Sequence, residues 1–329
     1  MKAQKLGQEI VDSVGLRLSE HVKTLAGGNG IDLGAPTYRQ RIWWGGAQEV
    51  MNFPATVRVA VQSEMGSIPQ IQKEIDDAVL LELLIQSKYC LFGGFTMIQG
   101  APLCIAGAAA AYDGGPSHLE SFKELMFRAI CGQAFVRHGL YECTVGDVMH
   151  ECCGGNAAQS ETLASVFEEG LQRKVLLDTR QSDDSANFIG IIADPITMRG
   201  YEITNVDESE WRAELKTEAG QVCFNVFDRV DHPWIPDCRL ATLTLPFNAD
   251  DLRAAWDGIC NLNFSNQQDS SLEFALGSWS ACKDDDFQFK YWQWMPRDIF
   301  DSDLAASVCI SMANRGRYAV KLLHILQKR

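Results

Sequence analysis

Two segments far apart in this chain read as the same strand. Ala55–Val61 is ATVRVAV and Ala241–Phe247 is ATLTLPF. Alternate residues are large and apolar: Val57, Val59 and Val61 in the first, Leu243, Leu245 and Phe247 in the second. A period of two puts them on one face of a strand. Each strand is followed by an amphipathic helix, two more strand-like runs and a closing amphipathic helix. The pattern predicts two copies of one unit, each α-β-β-β-α-β-β-α, offset by about 180 residues. The leading helices lie closer, about 150 residues apart, which predicts an insertion near Asp194–Glu210. The expected fold is α+β, with two similar domains, each an antiparallel sheet packed with helices. The breaker Gly154-Gly155-Asn156 separates a first domain over residues 1–150 from a second over residues 158–329.

In the first copy the periodicity predicts a helix over residues 4–25 and short strands at Arg39–Trp44 and Glu49–Phe53. A helix runs from Pro69 to about Lys88, and Leu91–Ile98 with Leu103–Tyr112 read as a hairpin. The alanine run Gly107–Ala111 inside that hairpin also suits a helix. A helix over Ser117–His138 closes the copy. In the second copy, helices are expected over Ser160–Leu176 and from Ala249, with Asn248 as its cap, to Leu262. Strand candidates are Phe188–Ala193, Trp211–Thr217, Val222–Val230 and Arg239–Phe247. Leu272–Trp279 and Phe287–Trp294 form a hairpin across the turn Lys283–Asp286, and a last helix runs from Asp301 or Ser302 to His324.

Length and charge narrow the function. With 329 residues, each half is long enough to bury its own core. The net charge of −14 and pI near 4.9 disfavour nucleic acid and anionic membrane surfaces as partners. No window has the apolar length of a membrane span, and the N-terminal segment carries charges where a secretion signal needs an apolar run. Eleven cysteines lie in otherwise apolar runs, which predicts reduced, buried thiols and a cytoplasmic protein.

Reactive side chains are densest at Cys131, His138, Cys143, His150, Cys152 and Cys153. A structural zinc site draws on a spaced cysteine pair, and the adjacent Cys152 and Cys153 chelate one ion awkwardly. His138-Gly139 and Cys153-Gly154 carry the residue types of a caspase-like thiol protease, but the two lie too close in the chain to cross a sheet. Arg137-His138-Gly139 matches the tripeptide of histidine phosphatases but follows a helix where that chemistry needs a strand. No phosphate-binding glycine loop and no nucleophile elbow is present. The aspartates at 183–184 and 284–286 read as solvated turns. The expectation is therefore no catalytic residue, no metal and no cofactor.

Aromatic strands remain. Phe287, Phe289 and Tyr291 share one face of their strand, and Trp292 and Trp294 share the other with Lys290; Trp43 and Trp44 raise the same pattern in the first half. A strand apolar on both faces must be covered twice. One cover is the domain's own helices. The other is a domain or dimer interface, or a partner polypeptide anchored on the aromatics. These seven residues are the candidate partner-binding set.

The pairs ATVRVAV…SIPQIQKEIDDAVLLELL and ATLTLPFNADDLRAAWDGICNLN, the hairpin LEFALGSW…FQFKYWQW and the helix DLAASVCISMANRG resemble the type III secretion chaperone fold and its YbjN-type cytosolic relatives. The resemblance covers most of the chain by order of elements, without a diagnostic motif. It implies binding of a partner polypeptide without catalysis and transfers no site residue. Members are small and pair as homodimers, whereas this chain carries two copies in tandem. The resulting expectation is a chaperone-like adaptor with a protein partner, able to form homo- or hetero-oligomers. The rival readings are a thiol or metal-assisted enzyme at Cys131–Cys153, and a structural subunit of a larger assembly.

Overall fold

A computed structural model describes residues 5, 7–9, 12, 22–24, 30–35, 38–45, 55–66, 77–97, 103–112, 116–141, 185–207, 210–233, 235–268, 274–283, 286–300 and 302–327. The expected elements at Glu49–Phe53 and Ser160–Leu176 lie outside these residues, as does the expected boundary near Gly154. The strands are β1 (Val22–Thr24), β2 (Gly30–Ala35), β3 (Tyr38–Gly45), β4 (Ala55–Gly66), β5 (Gly94–Thr96), β6 (Leu103–Tyr112), β7 (Glu202–Val206), β8 (Glu210–Thr217), β9 (Gly220–Val230), β10 (Cys238–Asn248), β11 (Phe274–Ala275), β12 (Ser278–Cys282) and β13 (Gln288–Pro296). The described helices with full bounds are α1 (Asp77–Ser87), α2 (Pro116–Tyr141), α3 (Ser185–Thr197), α4 (Leu252–Gln268) and α5 (Ser302–Gln327). Lys5, Gly7–Glu9 and Asp12 are also helical.

The strands form two antiparallel sheets, ordered β1-β2-β3-β4-β6-β11 with β5 also on β6, and β12-β13-β10-β9-β8-β7. The fold is α+β, and the two sheets share one plan. A four-strand meander, β1–β4 or β7–β10, is followed by a helix. A pair of strands then returns, β5 and β6 or β12 and β13, with the second lying beside the last meander strand. The first sheet thus has one strand more ahead of its central helix than the periodicity predicts; the second has four, with Glu202–Val206 in place of the expected Phe188–Ala193. Equivalent elements begin about 180 residues apart along the whole chain, including the leading helices, so no insertion interrupts the second copy.

Several local expectations change. Val22–Thr24 is strand, not the end of a helix. Phe188–Ala193 is helical and lies inside α3. Its isoleucines mimic a strand run, and Pro195 sits near the helix end, where its missing N–H disrupts little of the ladder. The α4 helix is capped by Asp251, whose carboxylate accepts the Ala254 N–H at 2.8 Å, and not by Asn248. The run Leu272–Trp279 is divided: Phe274 and Ala275 pair with Ala109 and Ala108 of the first sheet, while β12 joins the second.

The chain forms two compact units. The first holds residues Met1–Arg173 and Asn263–Ser278, and the second Lys174–Leu262 and Trp279–Arg329.

In the first unit Ile42, Val59 and Val61 are buried on one sheet face, together with two polar residues, Gln40 and Ser63, paired in register. Burying such groups is costly unless they are bonded. The Gln40 amide donates to Ser63 Oγ at 2.9 Å and to the Ile130 carbonyl at 3.1 Å. Ser63 donates to Gln133 Oε1, and Gln133 donates to the carbonyls of Val61 and Phe92. This network fixes the register of α2 on the sheet. The alanine run of β6 is strand because both faces are covered: Ala106, Ala108, Ala109 and Ala110 are all at most 3 % exposed. Larger side chains would not fit between the layers. Over the end of this sheet, Asn263 Nδ2 donates to the Phe95 carbonyl at 2.8 Å, and Arg58 donates to the Asn266 carbonyl.

In the second unit the core face carries Trp211, Ala213, Phe224, Val226, Ala241, Leu243 and Leu245, all buried. Trp211 meets Phe224 edge to face at 5.7 Å. Helix α5 lies close to this face at Gly316, where an added β-carbon would come within 2.5 Å of the Tyr201 hydroxyl.

Candidate functional site

The aromatic strand β13 uses its two faces differently. Phe289 and Tyr291 point into the second unit's core, at 5 % and 0 % exposure. Phe289 abuts Gly258 of α4, where a β-carbon would fall 2.5 Å from its ring. Tyr291 lies beneath the Arg315 guanidinium, 4.1 Å from ring centroid to Cζ, and beside Trp279 at 5.2 Å. On the other face Trp294 is buried and meets the His232 ring edge to face at 4.7 Å. Trp292 is half-buried, with its indole N–H donated to Ser280 Oγ at 2.6 Å. Phe287 is half-buried in the turn before β13, at φ 55°. In the first unit Trp43 and Trp44 are half-buried on opposite faces of β3, and Trp44 packs on Gly7. Phe289, Tyr291 and Trp294 are therefore held by this chain's own residues. Trp43, Trp44, Phe287 and Trp292 retain accessible surface.

An ionic cluster closes one end of the second sheet. Arg239 is fully buried, with Nε 3.1 Å from Asp228 Oδ1, Nη1 donating to the Phe300 carbonyl and the guanidinium over the Phe188 ring at 4.5 Å. Arg297 reaches the same Asp228 oxygen at 2.5 Å and Asp237 at 3.5 Å. A bulge in the β9–β10 register, with Arg229 at φ 57°, turns Asp228 toward Arg239. The arrangement pairs charges: Arg239, Asp228 and Arg297 are held out of water, and Asp237 alone of the four is largely exposed.

Cys90, Cys104, Cys131, Cys223, Cys238, Cys260 and Cys309 are free thiols, and of these only Cys223 is not buried. Burial pushes Cys104 up to about 11 and Cys309 up to about 12, and it raises Cys90 as well. Burial and the carboxylates of Asp298, Asp237 and Asp231 push Cys238 up to about 12, which opposes thiolate formation beside His232. The consequence for stability has a definite sign. Above about pH 9 the unfolded chain releases thiol protons that the fold retains, so stability falls by about 1.4 kcal/mol per pH unit for each such thiol. Urea midpoints measured at about pH 8 and about pH 10 should drop accordingly, and Cys104→Ala should shrink the drop. Equal midpoints would show that these thiols ionise freely in the folded protein. Of the expected Cys/His cluster, Cys131 is buried on α2, while Cys143, His150, Cys152 and Cys153 lie outside the described residues. No group of three or more His, Cys, Asp or Glu able to hold a metal occurs among the described residues.

The accessible feature that periodicity does not reveal is the outer edge of the second sheet. Among the described residues strand β7 ends the sheet and pairs only with β8; four of its five residues are exposed. Ile203, Thr204 and Val206 between Gly200 and Asp207 are the sequence signal that marks it. Of the large apolar residues exposed among the described ones, Met198 is 86 % and Val206 57 % accessible, against 40 % for Tyr318 and 38 % for Ile85. Met198 stands in the α3–β7 turn. That turn is held to α5 by Arg199 Nε, which donates to Asn314 Oδ1 at 2.9 Å, and by the Tyr201 hydroxyl, which donates to the Ala313 carbonyl.

No protein-family model matches the chain, and neither a curated protein nor a solved structure is similar to it. No helix among the described residues is long and apolar enough to cross a membrane.

Proposed function

We propose that this chain is a non-enzymatic protein-binding module, a chaperone-like adaptor whose second sheet receives an extended partner segment along β7. The observation that carries this reading is the exposure of β7 at the sheet edge. An edge strand presents unpaired N–H and C=O groups, and an added strand satisfies them. The edge is also guarded against indiscriminate pairing. It is five residues long, its register with β8 breaks between Ile203 and Asn205, and Glu202 is charged and faces Lys216 at 3.8 Å. Such features limit association to a short, selected segment. The half-buried Trp292 offers aromatic surface on the second sheet, and Trp43 and Trp44 do so separately on the first. The element order resembling type III secretion chaperones supports the same reading, with one more strand leading each sheet. The net charge of −14 supports a protein over a nucleic acid as partner, and the buried thiols suit a reducing, cytoplasmic setting.

Thr204 sits at the register break and has no partner residue on β8, so it is the β7 position where proline interrupts the residue pairing least. Co-purification with mass spectrometry should recover a stoichiometric polypeptide with the wild-type chain. Recovery should fall about tenfold with Thr204→Pro/Val206→Asp, at unchanged circular dichroism. A chain that retains no polypeptide, or that retains it equally in the variant, would overturn the proposal.

A further inference from the structure

The register with β8 sorts the side chains of β7 between the two faces of its sheet. Residues directly opposite each other on neighbouring strands project to the same side. Ile203 faces Ala213 and Val206 faces Trp211, and both of those partners are buried on the core face. Ile203 and Val206 are three positions apart, so an unbroken strand would send them to opposite sides. The register break at Thr204 brings both to the core side. Val206 is 57 % accessible there and Ile203 half-buried, with no strand beyond them among the described residues.

The other face is acidic. Glu202 stands opposite Glu214, and Asn205 opposite Arg212. Arg212 meets Glu214 at 2.8 Å, and Lys216 lies 3.8 Å from Glu202. Glu210 precedes Arg212 by two on the same face, and Asp207 bonds to its backbone at the hairpin end. Among the described residues of β7, β8 and their turn, Glu202, Asp207, Glu210 and Glu214 thus accompany two cations, Arg212 and Lys216. On β9, Arg229 lies 4.0 Å from Asp228. The charges ahead of β7 belong to the helices on the core side. Asp194 is on α3, Arg317 and Lys321 are on α5, and Arg199 donates to Pro195 and Asn314 of those helices. Phe188 of α3 lies under Arg239, and Gly316 of α5 abuts Leu243, which puts both helices on that side.

We infer that β7 is the docking edge for an extended segment that alternates apolar and basic residues. Its apolar side chains extend the core past Ile203 and Val206, and its Lys or Arg side chains lie over Glu202 and Asp207. Like charges directly opposite each other weaken a strand pair, and a cation on the added strand offsets the Glu202–Glu214 repulsion. Backbone pairing would accept any extended chain, so these side chains make the selection. The inference rests on the proposed partner-binding role of β7 and supplies the partner's chemistry.

The test uses the full chain and a short fluorescein-labelled peptide of alternating Lys and Val, followed by anisotropy, with Gln/Val, Glu/Val and Lys/Ser peptides as comparators. Saturable binding of the Lys/Val peptide is expected, at least about tenfold tighter than the Gln/Val and Lys/Ser peptides. This comparison needs no variant. In Glu202→Lys/Glu210→Lys, affinity for Lys/Val should fall about tenfold and affinity for Glu/Val should rise. Equal affinity for Lys/Val and Lys/Ser would mean that a diffuse acidic surface binds, and equal affinity for Lys/Val and Gln/Val that charge plays no part; either overturns the inference. So does an unaffected charge-reversal variant of unchanged circular dichroism. Self-association lost in Ile203→Ser/Val206→Ser would identify a second copy as the occupant and also overturns it. A co-purified polypeptide lost in Thr204→Pro/Val206→Asp but kept in Glu202→Lys/Glu210→Lys sinks this inference and leaves the partner-binding role standing. Absence of any bound polypeptide sinks that role itself.

Discussion

Asp228→Ala should destabilise the second unit by about 3–5 kcal/mol, the penalty for leaving a buried charge unpaired. Asp228 is the carboxylate shared by Arg239 and Arg297, at 3.1 and 2.5 Å. Arg239 has no exposure to water. The Phe300 carbonyl and the Phe188 ring would remain beside it, but neither carries a neutralising charge. Arg297 keeps Asp237, which is largely exposed and so a weak substitute. The double variant Asp228→Leu/Arg239→Met removes both charges and should cost clearly less than Asp228→Ala alone. Urea denaturation monitored by tryptophan fluorescence would measure both. If the single and double variants lost equal stability, packing and not charge pairing would be the source of the effect.

Gly107→Val is expected to cost about 3 kcal/mol or more in the first unit. A β-carbon at Gly107 collides with the Phe92 carbonyl and lies 3.1 Å from the Ala275 carbonyl. Both obstacles are backbone, so no side chain can swing aside to make room. Phe92 is itself held at φ 61°, in a turn followed by Gly93 at φ 157°. The substitution should part β11 from β6 first, because that ladder consists of only two residue pairs. Hydrogen exchange at Phe274 and Ala275 should then accelerate while exchange in β9 and β10 stays slow. Unchanged protection at Phe274 and Ala275, with an unchanged melting temperature, would mean that the close approach at Gly107 is absent in solution.

The strands with a buried face were readable in advance. β4, β8 and β9 alternate along their length, β10 alternates over its second half, β13 carries large apolar residues on both faces, and α2 and α5 carry long apolar stripes. Elements without a strong one-sided pattern were not readable. The β7 strand is almost wholly exposed, so no hydrophobic period marks it. The α3 run FIGIIA is short and rich in isoleucine, and as a helix it packs on α5 and under Arg239. The candidate site divides in the same way. The seven aromatics were visible as side chains that burial would favour, but their accessibility depends on neighbours remote in sequence. Gly258 covers Phe289, Arg315 covers Tyr291 and His232 covers Trp294. The exposed turn at Met198 and Arg199 was not visible, because exposure leaves no periodic trace.

By itself, the sequence determined that this protein is built from one sheet-and-helix plan used twice, because local alternation and helical spacing are written into consecutive residues. Only tertiary structure decided that each meander has four strands, and that Phe274 and Ala275 pair with the sheet of the first copy. It also decided that β7 stands uncovered while most of the β13 aromatics do not. Strand pairing and burial depend on which distant backbone groups and side chains meet. Contacts of that kind are set by the closure of the whole chain, and no window of neighbouring residues records them.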